Sequence, residues 1–240
     1  MRVILPDFPY LTAVNAYGFY CIPRSFRKRE VAKLLLDGEI NEPRTLELVQ
    51  RFVGKGDIVS GGAFVGDFLP VMSRALAKGA QVHSFEPNPV GFAATSMTIA
   101  LNGLENVKLS PVAVGHEAAI LQLQVASTSG RVMGGTSRIV AEAVEGQTID
   151  VQVVRIDDLV PASRRVTVLQ LDIEGHEWPA LEGAAQTIAT SHPLIVLETL
   201  AAQDPVEIED RLRVLCPAAE YKLMGMMERN AFYQPLVPKA

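Results

Sequence analysis

The sequence predicts an α/β domain built on a mostly parallel, doubly wound sheet, and three observations carry that prediction. From Val53 onward short β-branched runs alternate with helical stretches, the pattern of a sheet covered on both faces. Two helical stretches close on Lys78-Gly79 and Asn102-Gly103, as glycine-terminated helices do. A glycine-rich turn joins the first strand of the alternating region to its first helix.

The first fifty residues hold two amphipathic stretches, Arg27 to Leu36 and Pro43 to Val53, the second with proline near its start. They read as an N-terminal helical cap over residues 1–52, followed by one main domain over residues 53–240. The expected core strands are Asp57 to Ala63, Gln81 to Glu86, Val107 to Val114, Val166 to Ile173 and Pro193 to Thr199. The expected helices between them are Asp67 to Lys78, Pro89 to Asn102 and Glu177 to Thr190. Residues 115–161 break the rhythm: Ile120 to Val125 and Thr148 to Ile156 alternate apolar and polar residues like half-exposed antiparallel strands. This is a β insertion between the third and fourth core strands. After Thr199 a helix from about Val206 to Leu215 precedes an antiparallel hairpin, Tyr221 to Met227 and Ala231 to Leu236, joined by Glu228-Arg229-Asn230.

Composition excludes several function classes. The 22 Lys and Arg against 27 Asp and Glu give a net charge of −5, and no basic tract is present, so nucleic acid is not an expected partner. No apolar run reaches the ~18 residues of a spanning helix, and Pro6 and Asp7 interrupt the N-terminus where a signal peptide would be apolar. A cytoplasmic protein with no membrane partner is expected. Cys21 and Cys216 stand far apart with no CxxC spacing, and both are expected as buried small hydrophobes. The N-terminal segment and the terminal hairpin are the surfaces expected to serve a homodimer.

The segment Asp57-Ile58-Val59-Ser60-Gly61-Gly62-Ala63-Phe64-Val65-Gly66-Asp67 carries most information. Gly62 and Gly66 let the backbone turn tightly and approach a ligand, although glycines there also pack a helix against a strand. The next strand ends in Glu86, 20 residues after Gly66, where a carboxylate can accept both ribose hydroxyls of an adenosine ligand. A dinucleotide turn wants a middle glycine for the pyrophosphate, and Gly61-x-Ala63-x-x-Gly66 lacks it. The miss favours S-adenosylmethionine, which has no pyrophosphate, over NAD.

These residues resemble the FkbM family of S-adenosylmethionine-dependent methyltransferases over roughly Tyr17 to Thr199. The matching pieces are Gly62-Ala63-Phe64-Val65-Gly66-Asp67-Phe68, Phe85-Glu86-Pro87-Asn88, Ala113-Val114-Gly115, Gly135-Thr136-Ser137-Arg138-Ile139, Arg155-Ile156-Asp157-Asp158-Leu159 and Leu171-Asp172-Ile173-Glu174-Gly175-His176-Glu177. The resemblance implies a class I methyltransferase (Rossmann-like) fold with a seven-stranded sheet whose last strand is antiparallel. It also implies methyl transfer to a hydroxyl of a sugar or natural product. Cofactor contacts are implied at Ser60, Gly62, Phe64, Gly66, Asp67, Glu86, Pro87, Asn88, Val112 and Ala113. One departure is clear: the family's acidic residue and asparagine are here Ser60 and Phe64, and Ser60 offers no carboxylate to the ammonium of the methionine moiety.

Methyl transfer to a hydroxyl needs acceptor and methyl held in line and a proton removed. Asp172 ends the expected fourth strand, at the ligand-binding edge of such a sheet, and Glu174 lies on its side of an extended segment before Gly175 and His176. Asp172 is expected to position acceptor or cofactor, with Glu174 or His176 as general base; Glu174 and Glu177 could instead stabilise a helix N-terminus. A divalent cation on Asp172, Glu174 and His176 suits the ligand types, but no second carboxylate pair at metal spacing supports it, so no metal is expected. Arg138, in the segment from Gly134, could clamp an anionic group of the substrate. Asp157-Asp158 reads as a helix cap, His83 as a core or hydrogen-bonded residue, Trp178 as packing, and Arg24, Arg27, Lys28 and Arg29 as a solvated face. The alternative activities are a NAD-type oxidoreductase and a methyltransferase-like domain without catalysis.

Overall fold

The structure, a computed structural model, describes residues 7–130, 132–140, 145–199 and 204–236. The leader residues Met1 to Pro6 lie outside the described residues. The N-terminal cap is not wholly helical: β1 (Tyr10–Asn15) and β2 (Gly18–Pro23) form an antiparallel hairpin ahead of α1 (Glu30–Leu36) and α2 (Pro43–Phe52). Asn15 stabilises the hairpin turn by accepting from the Tyr17 N–H at 2.9 Å and the Tyr20 hydroxyl at 3.0 Å. Tyr20, Cys21 and Ile22 are fully buried, packed in one cluster with Phe26, Leu35, Phe64 and Met97. Burial of this row against the main domain is what favours a strand there.

Next come β3 (Asp57–Gly61), α3 (Leu69–Ala75), β4 (Val82–Phe85), α4 (Pro89–Leu101) and β5 (Val107–Ser110). Helix α3 is shorter at both ends than expected, and at its C-terminus Leu76 turns extended and packs into the core with Leu69 and Met72. Helix α4 starts where Asn88 accepts from the Val90 and Gly91 N–H groups, with Pro89 at the first position. The expected strand Val107 to Val114 is two strands. Pro111 has no N–H to continue the ladder, so β5 ends at Ser110 while β6 (Ala113–Val114) joins a different sheet. The insertion supplies the rest of that sheet, β7 (Ala119–Ala126), β8 (Arg138–Val140) and β9 (Gln147–Val154), in the order β6-β9-β7-β8.

A short helix α5 (Ile156–Leu159) leads into β10 (Val166–Leu171), α6 (Glu177–Glu182), α7 (Ala185–Ser191), β11 (Leu194–Glu198), α8 (Pro205–Leu215), β12 (Glu220–Met227) and β13 (Asn230–Leu236). The order of the large sheet is β12-β13-β11-β10-β3-β4-β5, parallel from β11 to β5, with β13 antiparallel to both neighbours. This is the seven-stranded arrangement expected from the resemblance. Strands β3 and β4 are buried on both faces, which is why they read as near-continuous apolar runs.

The single helix expected over Glu177 to Thr190 breaks into α6 and α7 because another element claims its middle. The Asp157 carboxylate accepts from the N–H groups of Gln186 (3.0 Å) and Thr187 (2.9 Å) and from the Thr187 hydroxyl (2.8 Å). Asp157 is a cap, as expected, but it caps α7. Asp157→Ala should cost about 1–2 kcal/mol and lower the melting temperature by roughly 2–8 °C, while exposed Asp158→Ala leaves it unchanged; thermal unfolding of the two variants checks this.

At the amino end of the large sheet, Asp57 gathers a buried polar network. Its carboxylate accepts from Arg164 Nη2 at 2.7 Å, from a second Arg164 nitrogen, and from the Gln81 N–H at 2.9 Å. His83 Nε2 lies 2.8 Å from Asp57 Oδ2, which gives His83 the hydrogen-bonded core role expected of it. Cys21 and Cys216 are both free and buried. No helix among the described residues is long and apolar enough to cross a membrane.

Candidate functional site

A cavity of about 740 Å³ opens at the carboxyl ends of β3, β4, β10 and β11, walled by the N-terminal cap on one side and the insertion on the other. It is lined by Ser60, Gly62, Phe64, Asp67, Glu86, Pro87, Val112, Ala113, Asp172, Glu174 and His176, all singled out in the sequence. Gly66, Asn88 and Arg138 are not among the lining residues. Gly66 lies under α4, close to Thr95 and Thr98. Asn88 caps α4 and donates to the Ser137 hydroxyl at 3.0 Å. Arg138 is exposed on β8 and donates through Nε to Gln124 at 3.3 Å.

The glycine turn is shaped by its neighbour strand. Gly62 has φ +85°, and a Cβ there would collide with the Asp172 carbonyl oxygen, so only glycine lets β3 pass the end of β10. Phe64 holds φ +50°, a left-handed conformation that side chains of its size rarely adopt. It is fixed there by its N–H, which donates to Glu86 Oε2 at 2.7 Å, and by its ring, which stacks on Phe26 with centroids 5.4 Å apart. The other Glu86 oxygen accepts from the Asn88 N–H at 2.9 Å. Each oxygen thereby keeps a lone pair for a further donor. Burial pushes the Glu86 carboxyl up to about 7, against the pull of these two N–H groups.

Ser60 is turned away from the role of a lone acceptor: its hydroxyl donates to Gln170 Oε1 at 2.7 Å across the β3–β10 pair. The carboxylates nearby come from Asp67, which accepts from Asn41 at 3.0 Å, and Glu42, which accepts from Asn230 at 2.6 Å. Burial raises both, to about 6 for Asp67 and about 7 for Glu42.

The Asp172–Glu177 segment separates into two roles. Glu177 is structural: it is almost fully buried, and its Oε1 accepts from the N–H groups of Ile173 (3.0 Å) and Gly175 (3.1 Å), closing the turn before α6. Asp172, Glu174 and His176 remain for the cavity. Glu174 sits at φ +56°, and burial, with Glu198 and Glu177 nearby, raises its carboxyl to about 7 against the pull of Arg29 and Arg138. Burial, helped by His116, lowers His176 below its usual range, so its imidazole is neutral at pH 7. Two proton acceptors thus stand on the cavity wall near neutral pH.

The second carboxylate absent from the sequence pattern is Glu198, at the end of β11. Oxygens of Asp172, Glu174 and Glu198 lie within 4.8 Å of one another, whereas His176 is not part of this group. Sequence reasoning also missed Glu42, Gln170 and Arg29. Arg29, grouped with a solvated face, bonds the Met133 carbonyl and the Thr136 hydroxyl and so ties the cap to the insertion. The rule that ligands bind at carboxyl ends of parallel strands points to the end of β11, but only the alignment of β10 with β11 sets Glu198 beside Asp172.

The cavity size falls in the roughly 300–1,000 Å³ range of small-molecule sites. Glu86, with a free lone pair on each oxygen, and the apolar walls of Phe64, Pro87 and Val112 fit an adenosine-type ligand.

The family model described as Methyltransferase FkbM domain matches residues 60–223 of this chain. Among solved structures, an FkbM methyltransferase from Methylobacillus flagellatus KT superposes with a TM-score of 0.55 at 16% identity, covering 75% of this chain and 43% of that one. Trm5b from Pyrococcus abyssi gives a TM-score of 0.51 at 12% identity, covering 96% and 56%. The chain therefore spans roughly half the length of these two proteins, and at such identities the likeness is one of fold. No curated protein matches the sequence.

Proposed function

This chain belongs to the FkbM methyltransferase family, and from that premise we propose that it uses S-adenosylmethionine to methylate a hydroxyl of a small sugar or natural-product acceptor. The observation that carries the reading is one cavity with an adenosine-type carboxylate, Glu86, on one wall and the proton acceptors Glu174 and His176 on another. S-adenosylmethionine, when bound, supplies an electrophilic methyl group on a sulfonium. Glu86 would accept the ribose hydroxyls with the lone pairs its backbone partners leave free. The Phe64 ring, stacked on Phe26, forms the cavity wall at the turn. Asp172 orients the acceptor or cofactor at the end of β10, and Glu174 or His176 takes the acceptor's hydroxyl proton.

The test is transfer of labelled methyl from S-adenosylmethionine to a panel of hydroxylated sugars, hydroxylated natural products and amines. Label on oxygen is expected, and Glu174→Gln or His176→Asn, whichever removes the base, should lower kcat about 10²- to 10⁴-fold. Transfer confined to amines would overturn the oxygen assignment. Cofactor binding without transfer to any acceptor class would favour the non-catalytic alternative.

A further inference from the structure

We infer that Gln170 holds the carboxylate of the cofactor's amino-acid end, through a side-chain amide that Ser60 fixes in place. This inference rests on the cofactor reading above. It starts from the alternation of β3 and β10. Ile58 and Val168 are paired in the parallel ladder and belong to one apolar cluster with Val49, Leu69 and Met72. Two residues further along each strand the same face turns polar, at Ser60 and Gln170, which are again ladder partners.

Gln170 is only 3% exposed, yet it lines the cavity, as Ser60 does. Burying an amide is costly unless both of its ends find partners. The Ser60 hydroxyl serves one end, donating to Gln170 Oε1 at 2.7 Å. Because the amide is planar, that bond turns Nε2 and its two hydrogens to the opposite side. Among the described residues no acceptor meets Nε2, and the cavity that Gln170 lines is where one can stand.

Position in the sheet identifies the acceptor. Neighbouring strands lie about 4.8 Å apart, so β10, two strands from β4, is displaced by roughly 10 Å from the strand that leads to Glu86. A ligand whose ribose is held at Glu86 spans that distance with its amino-acid tail. The tail ends in a carboxylate, which accepts hydrogen bonds, and an ammonium, which donates them. An amide with two N–H hydrogens to give suits the carboxylate. The acidic residue that the family carries at position 60 suits the ammonium instead, so the neutral Ser60–Gln170 pair reverses the polarity of this wall. The ammonium is left to other carboxylates of the same cavity, Glu42 and Asp67, which Asn230 and Asn41 hold in place.

Calorimetric titration with S-adenosylhomocysteine and with its decarboxylated analogue, the same thioether ending in a primary amine alone, tests this without turnover. Wild type is expected to bind the analogue about tenfold or more weakly. Gln170→Met, close in shape but without the donor, should weaken S-adenosylhomocysteine about tenfold or more and leave the analogue within about threefold, so that the preference disappears. Ser60→Ala should weaken S-adenosylhomocysteine by about threefold, because the amide loses its fixed orientation. Ribose recognition by Glu86 is common to both ligands and cancels. The wild-type comparison needs no variant: equal affinity for the two ligands leaves the cofactor reading standing and overturns the inference. A preference that survives Gln170→Met would overturn it too, by assigning the carboxylate to a cation of the cavity wall, Lys28, Arg29, Lys33 or Arg229. So would a Gln170→Met protein with unchanged affinity for S-adenosylhomocysteine and a raised KM for the acceptor, since the amide would then serve the acceptor. Failure of wild type to bind either S-adenosylmethionine or S-adenosylhomocysteine would instead remove the cofactor reading and this inference with it.

Discussion

Glu86→Ala is expected to weaken binding of S-adenosylmethionine by roughly 100-fold or more, because the substitution removes three things together. It leaves the Phe64 and Asn88 N–H groups without their acceptor, each such bond to a charged group being worth about 1.5–3 kcal/mol. It frees Phe64 from the left-handed conformation that closes the turn. It also removes the proposed ribose acceptor. The pH dependence has a definite sign. Burial raises the Glu86 carboxyl to about 7, so the acceptor form is lost as pH falls through that value. Affinity should therefore fall between pH 8 and pH 6 in wild type, and by less in Glu86→Ala. A full-affinity Glu86→Ala protein would show that the carboxylate only shapes the turn.

Asp57→Ala should destabilise the fold by about 3–5 kcal/mol, or lower the melting temperature by roughly 10 °C. It removes the carboxylate partner of buried His83 and of the Arg164 guanidinium, which keeps only the Gly79 carbonyl. Burial pushes the Asp57 carboxyl up, but the bonds from Arg164, His83 and the Gln81 N–H outweigh it and hold the group below the usual aspartate range. A depressed folded value means the stabilisation is fully present above the unfolded aspartate range and is lost as pH falls through the lower folded one. Wild type and Asp57→Ala should therefore differ most at neutral pH and converge in strong acid. A gap independent of pH would mean that packing, not charge, sets the cost. The site lies at the opposite edge of the sheet from Asp172, so cofactor affinity should survive wherever the variant is folded.

The parallel strands were legible because burial on both faces forces near-continuous apolar runs, as in Ile58-Val59 and Leu194-Ile195-Val196-Leu197. The turn residues Gly62 and Gly66 and the strand-ending Glu86 and Asp172 could be placed for the same reason: each sits at a fixed step from such a run. The N-terminal hairpin was not legible, since its turn, Ala16-Tyr17, lacks the asparagine-glycine signature and is held by the Asn15 side chain instead. Val107 to Val114 was read as one strand across Pro111, and its division between two sheets is decided by tertiary pairing. The split of α6 from α7 depends on Asp157, whose reach to Gln186 and Thr187 no local pattern reveals. Glu198 shows the same limit at the site. Its meaning comes from lying beside Asp172, and that follows from the alignment of β10 with β11, not from any motif.

We propose that the cavity at the carboxyl edge of this sheet takes S-adenosylmethionine. Calorimetric titration of the purified protein with S-adenosylmethionine, S-adenosylhomocysteine and NAD tests it most directly. Saturable binding of the first two, weakened by Glu86→Ala, with no response to NAD, is the predicted result. Binding of NAD in place of the adenosyl sulfur ligands would contradict it.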